Sequence, residues 1–278
     1  MNRVVALSVV CTTMLVAAAP ARAQFQPRPM GDPPVGESYH IEASAGLWFS
    51  NTDLTVTSSG SGALNGLTGT SINAQTDLGM PPGNTFPSLS LVLRPAKSHK
   101  FRLNYVPLSF NGSTTITRDI NFNGQKYTFG LPVNSTLDWT LLRLGYEYDF
   151  LRHDDWFAGF ILEAKYTDVQ VNLSTPGPPA ITEFDRARAP IPALGFTGRY
   201  YVLPNIAVTG EVTAFKLPTV QDKYSGHYVD VDIYGTYNLL EYVGVQGGFR
   251  TMDFGFLAKD DSAAFTVKGL YIAAVVRY

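Results

Sequence analysis

From Tyr39 to the last residue the chain alternates. Ten segments carry apolar side chains at every second position, with charged, polar or small residues between them. A period of two is the strand period, so the two sets lie on opposite faces of a sheet. The last segment, 263–278, shows it most cleanly. Leu270, Ile272, Ala274, Val276 and Tyr278 form one face, and Gly269, Tyr271, Ala273, Val275 and Arg277 the other. The other segments are about 40–57, 86–95, 100–117, 134–150, 156–173, 187–202, 206–217, 227–240 and 243–258. Pro190 and Pro192 disturb the start of the sixth.

The connections sort by length. Short ones at 96–99, 151–155, 203–205 and 241–242 alternate with long ones at 58–85, 118–133, 174–186 and 218–226; only 259–262 is short where a long one is due. Short turns on one side and longer loops on the other are the pattern of a transmembrane barrel. A soluble sandwich also has alternating strands, but it does not sort its loops this way. After residue 23 no apolar run is long enough for a spanning helix, which leaves a closed barrel as the way to satisfy backbone groups in lipid. We expect an all-β, antiparallel up-and-down transmembrane barrel of about ten strands over residues 39–278. Counting 119–130, a hairpin around Asn123-Gly124, as spanning gives twelve, and discarding two segments gives eight.

Residues 1–23 have the parts of a secretory signal peptide: Arg3, an apolar stretch from Val4 to Ala19, and Ala21-Arg22-Ala23 as the cleavage site. The sole cysteine, Cys11, lies inside it, so no disulfide is expected in the exported chain. Residues 24–38 read as a Pro-rich periplasmic leader, extended and outside the fold. Cleavage leaves a mildly acidic protein, which argues against nucleic-acid binding. Only 16% of residues are charged and 13% are aromatic, a balance suited to a sheet facing lipid. Tyr39, Phe101, Tyr148, Phe150, Trp156, Tyr200, Tyr242 and Tyr278 cluster at the short-turn side as an interfacial girdle.

On the faces opposite the apolar ones lie seven cations and seven anions. They are Arg94, Arg102, Arg143, Lys165, Arg199, Arg250 and Arg277, and Glu42, Glu147, Asp149, Glu163, Glu211, Asp230 and Asp232. A lipid-facing Arg or Lys at the midplane costs about 2–4 kcal/mol, so these belong to the lumen. In a lumen of this width the balance implies pairing, as a structural plug or as the lining of a narrow path.

Little else carries chemistry. His227 begins the eighth segment near Asp222, Ser225 and Asp230, and a Ser–His pair is geometrically possible there. The spacing fits no hydrolase signature, so the expectation is that the chain is not an enzyme. Metal and cofactor motifs are absent from the sequence.

Three stretches, 71–80 (SINAQTDLGM), 228–238 (YVDVDIYGTYN) and 243–251 (VGVQGGFRT), resemble a group of largely uncharacterised Gram-negative outer-membrane barrel proteins of the small, porin-like kind. The alternating, aromatic C-terminal strand resembles the signal that the barrel-assembly machinery reads in that class, here Leu270, Ile272, Ala274, Val276 and Tyr278. The resemblance implies an outer-membrane location among lipids and lipopolysaccharide, and a monomer. It carries over no catalytic residue. The function expected is a small pore or structural barrel with a charge-paired, largely plugged lumen. The alternatives are a rim-located hydrolase and a loop-mediated surface binding protein or adhesin. In the longest loop, Leu78 and Met80 form an apolar patch that we expect to fold into the mouth.

Overall fold

Strand pairing runs through the chain and returns to its start. The computed structural model describes residues 34–58, 69–176, 182–221, 223–259 and 261–278. The expected signal peptide, its cleavage site and most of the Pro-rich leader lie outside the described residues. Ten long strands form the wall: β1 (Ile41–Thr57), β3 (Gly83–Ala96), β4 (His99–Thr115), β7 (Pro132–Arg152), β8 (Trp156–Ser174), β9 (Thr182–Leu203), β10 (Ile206–Val220), β11 (Tyr224–Asn238), β12 (Val243–Ala258) and β13 (Asp261–Arg277). Each pairs antiparallel with the next, and β13 closes on β1 from Glu42↔Arg277 to Thr57↔Ser262. Closure satisfies both edges of every wall strand in lipid except where a neighbour is locally absent.

The extra strands are small. β2 (Ile72–Asn73) pairs with the top of β1, and β5 (Ile120–Phe122) and β6 (Gln125–Tyr127) make a separate hairpin. That hairpin turns at Asn123 and Gly124, both at positive φ, 48° and 77°; Asn-Gly is the favoured pair for such a turn. It does not span. Ile120, Phe122 and Tyr127 are buried in the barrel's core, so it caps the lumen.

Below its middle, the wall is apolar outside. Leu47, Phe196, Ile233 and Leu270 are 47%, 59%, 57% and 64% exposed, which suits a lipid-facing surface and no aqueous one. Phe101, Tyr148, Tyr200, Tyr242 and Tyr278 lie on this outer surface at the short-turn side. Tyr39, expected among them, is 6% exposed instead, buried under the guanidinium groups of Arg94 and Arg277.

Toward the long-loop end the alternation inverts. On β7, Leu142 and Leu144 face out on either side of inward Arg143, but higher up Val133, Leu137, Trp139 and Leu141 face in while Asn134, Thr136 and Asp138 face out. The phase changes where two apolar residues are adjacent: Trp48-Phe49, Tyr105-Val106 and Leu141-Leu142. Beyond these points the strands have water outside and need an apolar inside. Continued pairing above the membrane also explains why two connections expected to be long loops are partly strand: β9 begins at Thr182, and β10 and β11 pair as far as Val220↔Tyr224.

Candidate functional site in the lumen

The interior has two unlike halves. The short-turn half holds the charges, and the structure places all fourteen sequence-derived residues on the inner face. Alternation sends them there, and adjacent strands stack them in layers. At the end, Arg277 donates to Glu42 at 2.5 Å and to Asn238 at 2.8 Å. Arg102 bridges Glu147 at 2.9 Å and Glu211 at 2.6 Å, and the Tyr234 hydroxyl donates to Glu211 at 3.1 Å. Deepest lies Asp230. It receives Arg250 through two nitrogens at 3.0 and 2.9 Å, with Arg143 and Lys165 at 3.4 and 3.3 Å. Arg143 also holds Glu163 at 2.8 Å. Asp232 lies opposite Arg250 in register and accepts from the Tyr271 hydroxyl at 3.1 Å.

Three charged members of this network escaped the sequence reading, among them Arg152, which meets Asp149 at 2.9 Å. Lys100, at the start of β4, meets Glu147 at 2.6 Å and Asp149 at 3.1 Å. Glu37 belongs to the stretch expected outside the fold. Instead residues 34–38 close the short-turn end: Val35 bonds to Pro204 and Asn238, and Glu37 reaches Arg199 at 2.9 Å, Arg94 at 3.1 Å and the Tyr201 hydroxyl at 2.5 Å. Burial pushes the Glu37 carboxyl up, but Arg199, Lys100, the Tyr201 hydroxyl and Arg94 more than offset it and hold the group down at about 2. The available signal was an acid two residues before Tyr39, facing an excess of arginine at that end. Between these layers and the small side chains of Ser44, Ser88 and Ser90 is a polar cavity of about 110 Å³, roomy enough for several waters.

The long-loop half is a dry core. Trp139 packs on Phe265 and Phe254, with ring centroids 5.1 and 6.3 Å away, and donates its indole N–H to Thr167 at 2.5 Å. Leu54, Val106, Leu108, Phe110, Val171 and Val267 join it. The longest loop enters as expected: Ile72, Ala74, Leu78 and Met80 are all 5% exposed or less. Its carbonyl at Leu78 sits so close over β4 that a Cβ at position 112 would come within 2.3 Å, so only Gly112 fits. An ion pair fastens the loop, Arg118 to Asp77 at 2.9 and 2.6 Å. The hydrogen bonds from Arg118 hold the Asp77 carboxyl below the usual carboxylate range.

His227 lies outside the lumen. It faces outward near the long-loop end, half exposed, with Nε2 2.7 Å from Asp253 Oδ1. Thr266 donates to the other Asp253 oxygen at 2.8 Å. Ser225 shares its face, while Asp230, expected nearby, points inward, and Asp222 lies outside the described residues.

No protein-family model matches this sequence, and no curated protein matches it. Solved structures do resemble it. The outer membrane protease OmpT of Escherichia coli aligns at 10% identity with a TM-score of 0.52, covering 89% of this chain and 99% of that one. The toluene transporter TodX of Pseudomonas putida aligns at 8% identity with a TM-score of 0.38, covering 86% and 90%. The toluene transporter TbuX of Ralstonia pickettii aligns at 12% identity with a TM-score of 0.36, covering 90% and 92%. OmpT is an outer membrane protein, and the barrel fold agrees with such a location. At such identities the likeness speaks for the fold alone. It nevertheless corrects the expectation that the chain is not an enzyme. An outer membrane protease is built on this fold, so the architecture gives no ground for excluding catalysis.

Proposed function

We propose that the protein is an outer-membrane barrel whose lumen is closed to ions. One observation carries this reading: the long-loop half of the lumen is packed with apolar side chains. An ion crossing such a core loses its hydration with nothing in exchange. The ion-paired half adds a second restriction, because its charges already satisfy one another. Export through residues 1–23, cleavage after Ala23, insertion by the assembly machinery through Leu270, Ile272, Ala274, Val276 and Tyr278, a monomeric state and contact with lipopolysaccharide belong to the same proposal. Planar-bilayer recording of purified protein tests it. No steady conductance is expected from the intact chain, and a stable open channel would overturn the reading. Deleting 73–82 should then open a conductance, because those residues supply part of the seal.

A second reading, a hydrolase at the rim, is favoured by the hydrogen-bonded, half-exposed His227–Asp253 pair. A carboxylate that orients an imidazole is a common element of acid–base catalysis. Its test is hydrolysis of peptide and ester substrates by intact protein and by His227→Ala. Activity lost in the variant supports it, and activity absent from both removes it.

A further inference from the structure

The wall is not sealed everywhere. β3 and β4 pair only from Ala96↔His99 to Leu89↔Tyr105. Above that rung β3 continues from Ser88 to Gly83 paired to β1 alone, and β4 continues from Val106 to Thr115 paired to β7 alone. Continued in register, the strands would set Ser88 against Val106 and then Pro87 against Pro107, and neither proline has an N–H to give the ladder. Side chains bridge the gap instead. Asn84 donates to the Ser109 carbonyl at 2.8 Å, and Phe86 and Phe110 meet edge to face across it, centroids 5.1 Å apart; on the last paired rungs below, Asn104 donates to the Leu89 carbonyl at 3.1 Å.

Only the foot of the gap borders lipid: it starts where the outer wall leaves lipid, at Tyr105-Val106, with Pro87 beside lipid-facing Leu47, and the rest of it stands above the membrane. Behind it is the dry core: Val106, Leu108 and Phe110, then Leu78 and Met80 of the loop lying on Gly112. Above Ser88 the path from outer wall to core is lined by apolar side chains; Ser88 and Asn104 stand at its lower margin, on the polar cavity, and Asn84 and Ser109 at its upper margin. A second interruption, between β9 and β10 above Leu194↔Ala214, leads toward Lys165 and Asp230, where hydrocarbon would meet charge. The prolines also deny the β3–β4 gap to an added strand from another chain.

We propose that the β3–β4 gap is a lateral doorway. Through it one acyl chain of a membrane lipid enters the long-loop core, taking the place of Leu78 and Met80, with the lipid headgroup held outside at Asn84 and Ser109. The Asp77–Arg118 pair is the latch on the displaced loop. This does not depend on whether the barrel conducts.

Trp139 reports on it, since it pairs directly with Leu108 on the β4 lip. Trp48→Phe with Trp156→Phe leaves Trp139 as the lone tryptophan. The protein is reconstituted in bilayers of phospholipid with dibrominated acyl chains, whose bromine quenches indole on contact. Strong quenching is expected, though Trp139 faces inward. In a Cys11→Ser background, Pro87→Cys with Pro107→Cys, oxidised, should cut that quenching at least fivefold, and reduction should restore it. Should the cysteines fail to join, Pro87→Val with Pro107→Val returns two donors to the ladder and should lower quenching likewise. Arg118→Ala should make quenching several-fold faster. An unquenched Trp139, or quenching indifferent to both ways of closing the gap, overturns the doorway; an unchanged rate in Arg118→Ala overturns the latch.

Discussion

The two halves of the lumen face the same problem and answer it differently. Each must fill the interior of one ten-stranded wall. The short-turn half lies within lipid, so its apolar residues are spent on the outside and its interior falls to charged and polar side chains. The long-loop half has water outside, so its strands turn their apolar residues inward, as a soluble sandwich does. The solvent outside the wall thus decides the chemistry inside it. An ion-paired interior depends on particular partners, whereas an apolar one depends on volume and shape. Substitutions should separate the two.

The largest effect is expected at Asp230. Arg250, Arg143 and Lys165 all lean on it, and it is 3% exposed. Asp230→Ala leaves three cations in a closed interior, and breaking a buried pair of this kind costs about 3–5 kcal/mol. We expect the upper end of that range in guanidinium unfolding of vesicle-reconstituted protein. A loss below about 1 kcal/mol would mean that water reaches this layer freely. Trp139→Ala tests the other half. Truncating a buried tryptophan costs about 3–5 kcal/mol, and here the cavity would be lined by Phe254 and Phe265. Trp139→Phe should recover most of that, while Asp230→Glu should recover much less, because charge pairing is intolerant of displacement.

The same contrast explains what the sequence disclosed. Lipid-facing residues were legible because Ile41 to Phe49 on β1 and Leu270 to Tyr278 on β13 repeat without interruption. The inward charges followed, since one phase fixes the other. The dry core was hidden by the change of phase: Leu137, Trp139 and Leu141 continue the set that holds Arg143, and reading one phase along the whole strand files them as polar-side residues. Adjacent pairs such as Leu141-Leu142 were the available marker. Glu37 was missed because prolines around it suggested a free leader, although Pro34 is compatible with an ordered segment once Val35 and Glu37 have partners. The β3–β4 gap was missed because Pro87 and Pro107 come opposite one another only through register.

Glu37 gives a smaller effect and a pH signature. Its carboxyl is held at about 2, below its ordinary value of 4.5. A depressed carboxylate contributes stability that is fully present above its unfolded value and is lost as pH falls through its folded one. Stability should therefore hold flat from pH 7 to about 5 and decline between roughly 4.5 and 2. Glu37→Gln should remove about 1–3 kcal/mol at pH 7 and flatten that part of the acid limb. An acid limb identical to that of the intact chain would show that residues 34–38 do not dock.

The smallest effect on stability should come from Arg118→Ala, and it discriminates between the halves in another way. Arg118 is 45% exposed on its side chain, and exposed pairs contribute about 0–1 kcal/mol, so unfolding should barely change. The loop it fastens should change more. Asp77 keeps its bond from the Asn73 N–H at 2.9 Å but loses both guanidinium bonds, and Ile72, Ala74, Leu78 and Met80 are then held by packing, by the β2–β1 pairing and by the hydrogen bonds from Ala74 to Leu54 and from Ser135 to Leu78. Limited proteolysis in the 72–80 loop should speed up several-fold, while the ion-paired half, closed by Glu37 and Arg277, stays resistant. Equal cleavage rates with and without Arg118 would show that packing and these bonds suffice to keep the loop seated. The two halves would then differ in composition but not in how firmly each is closed.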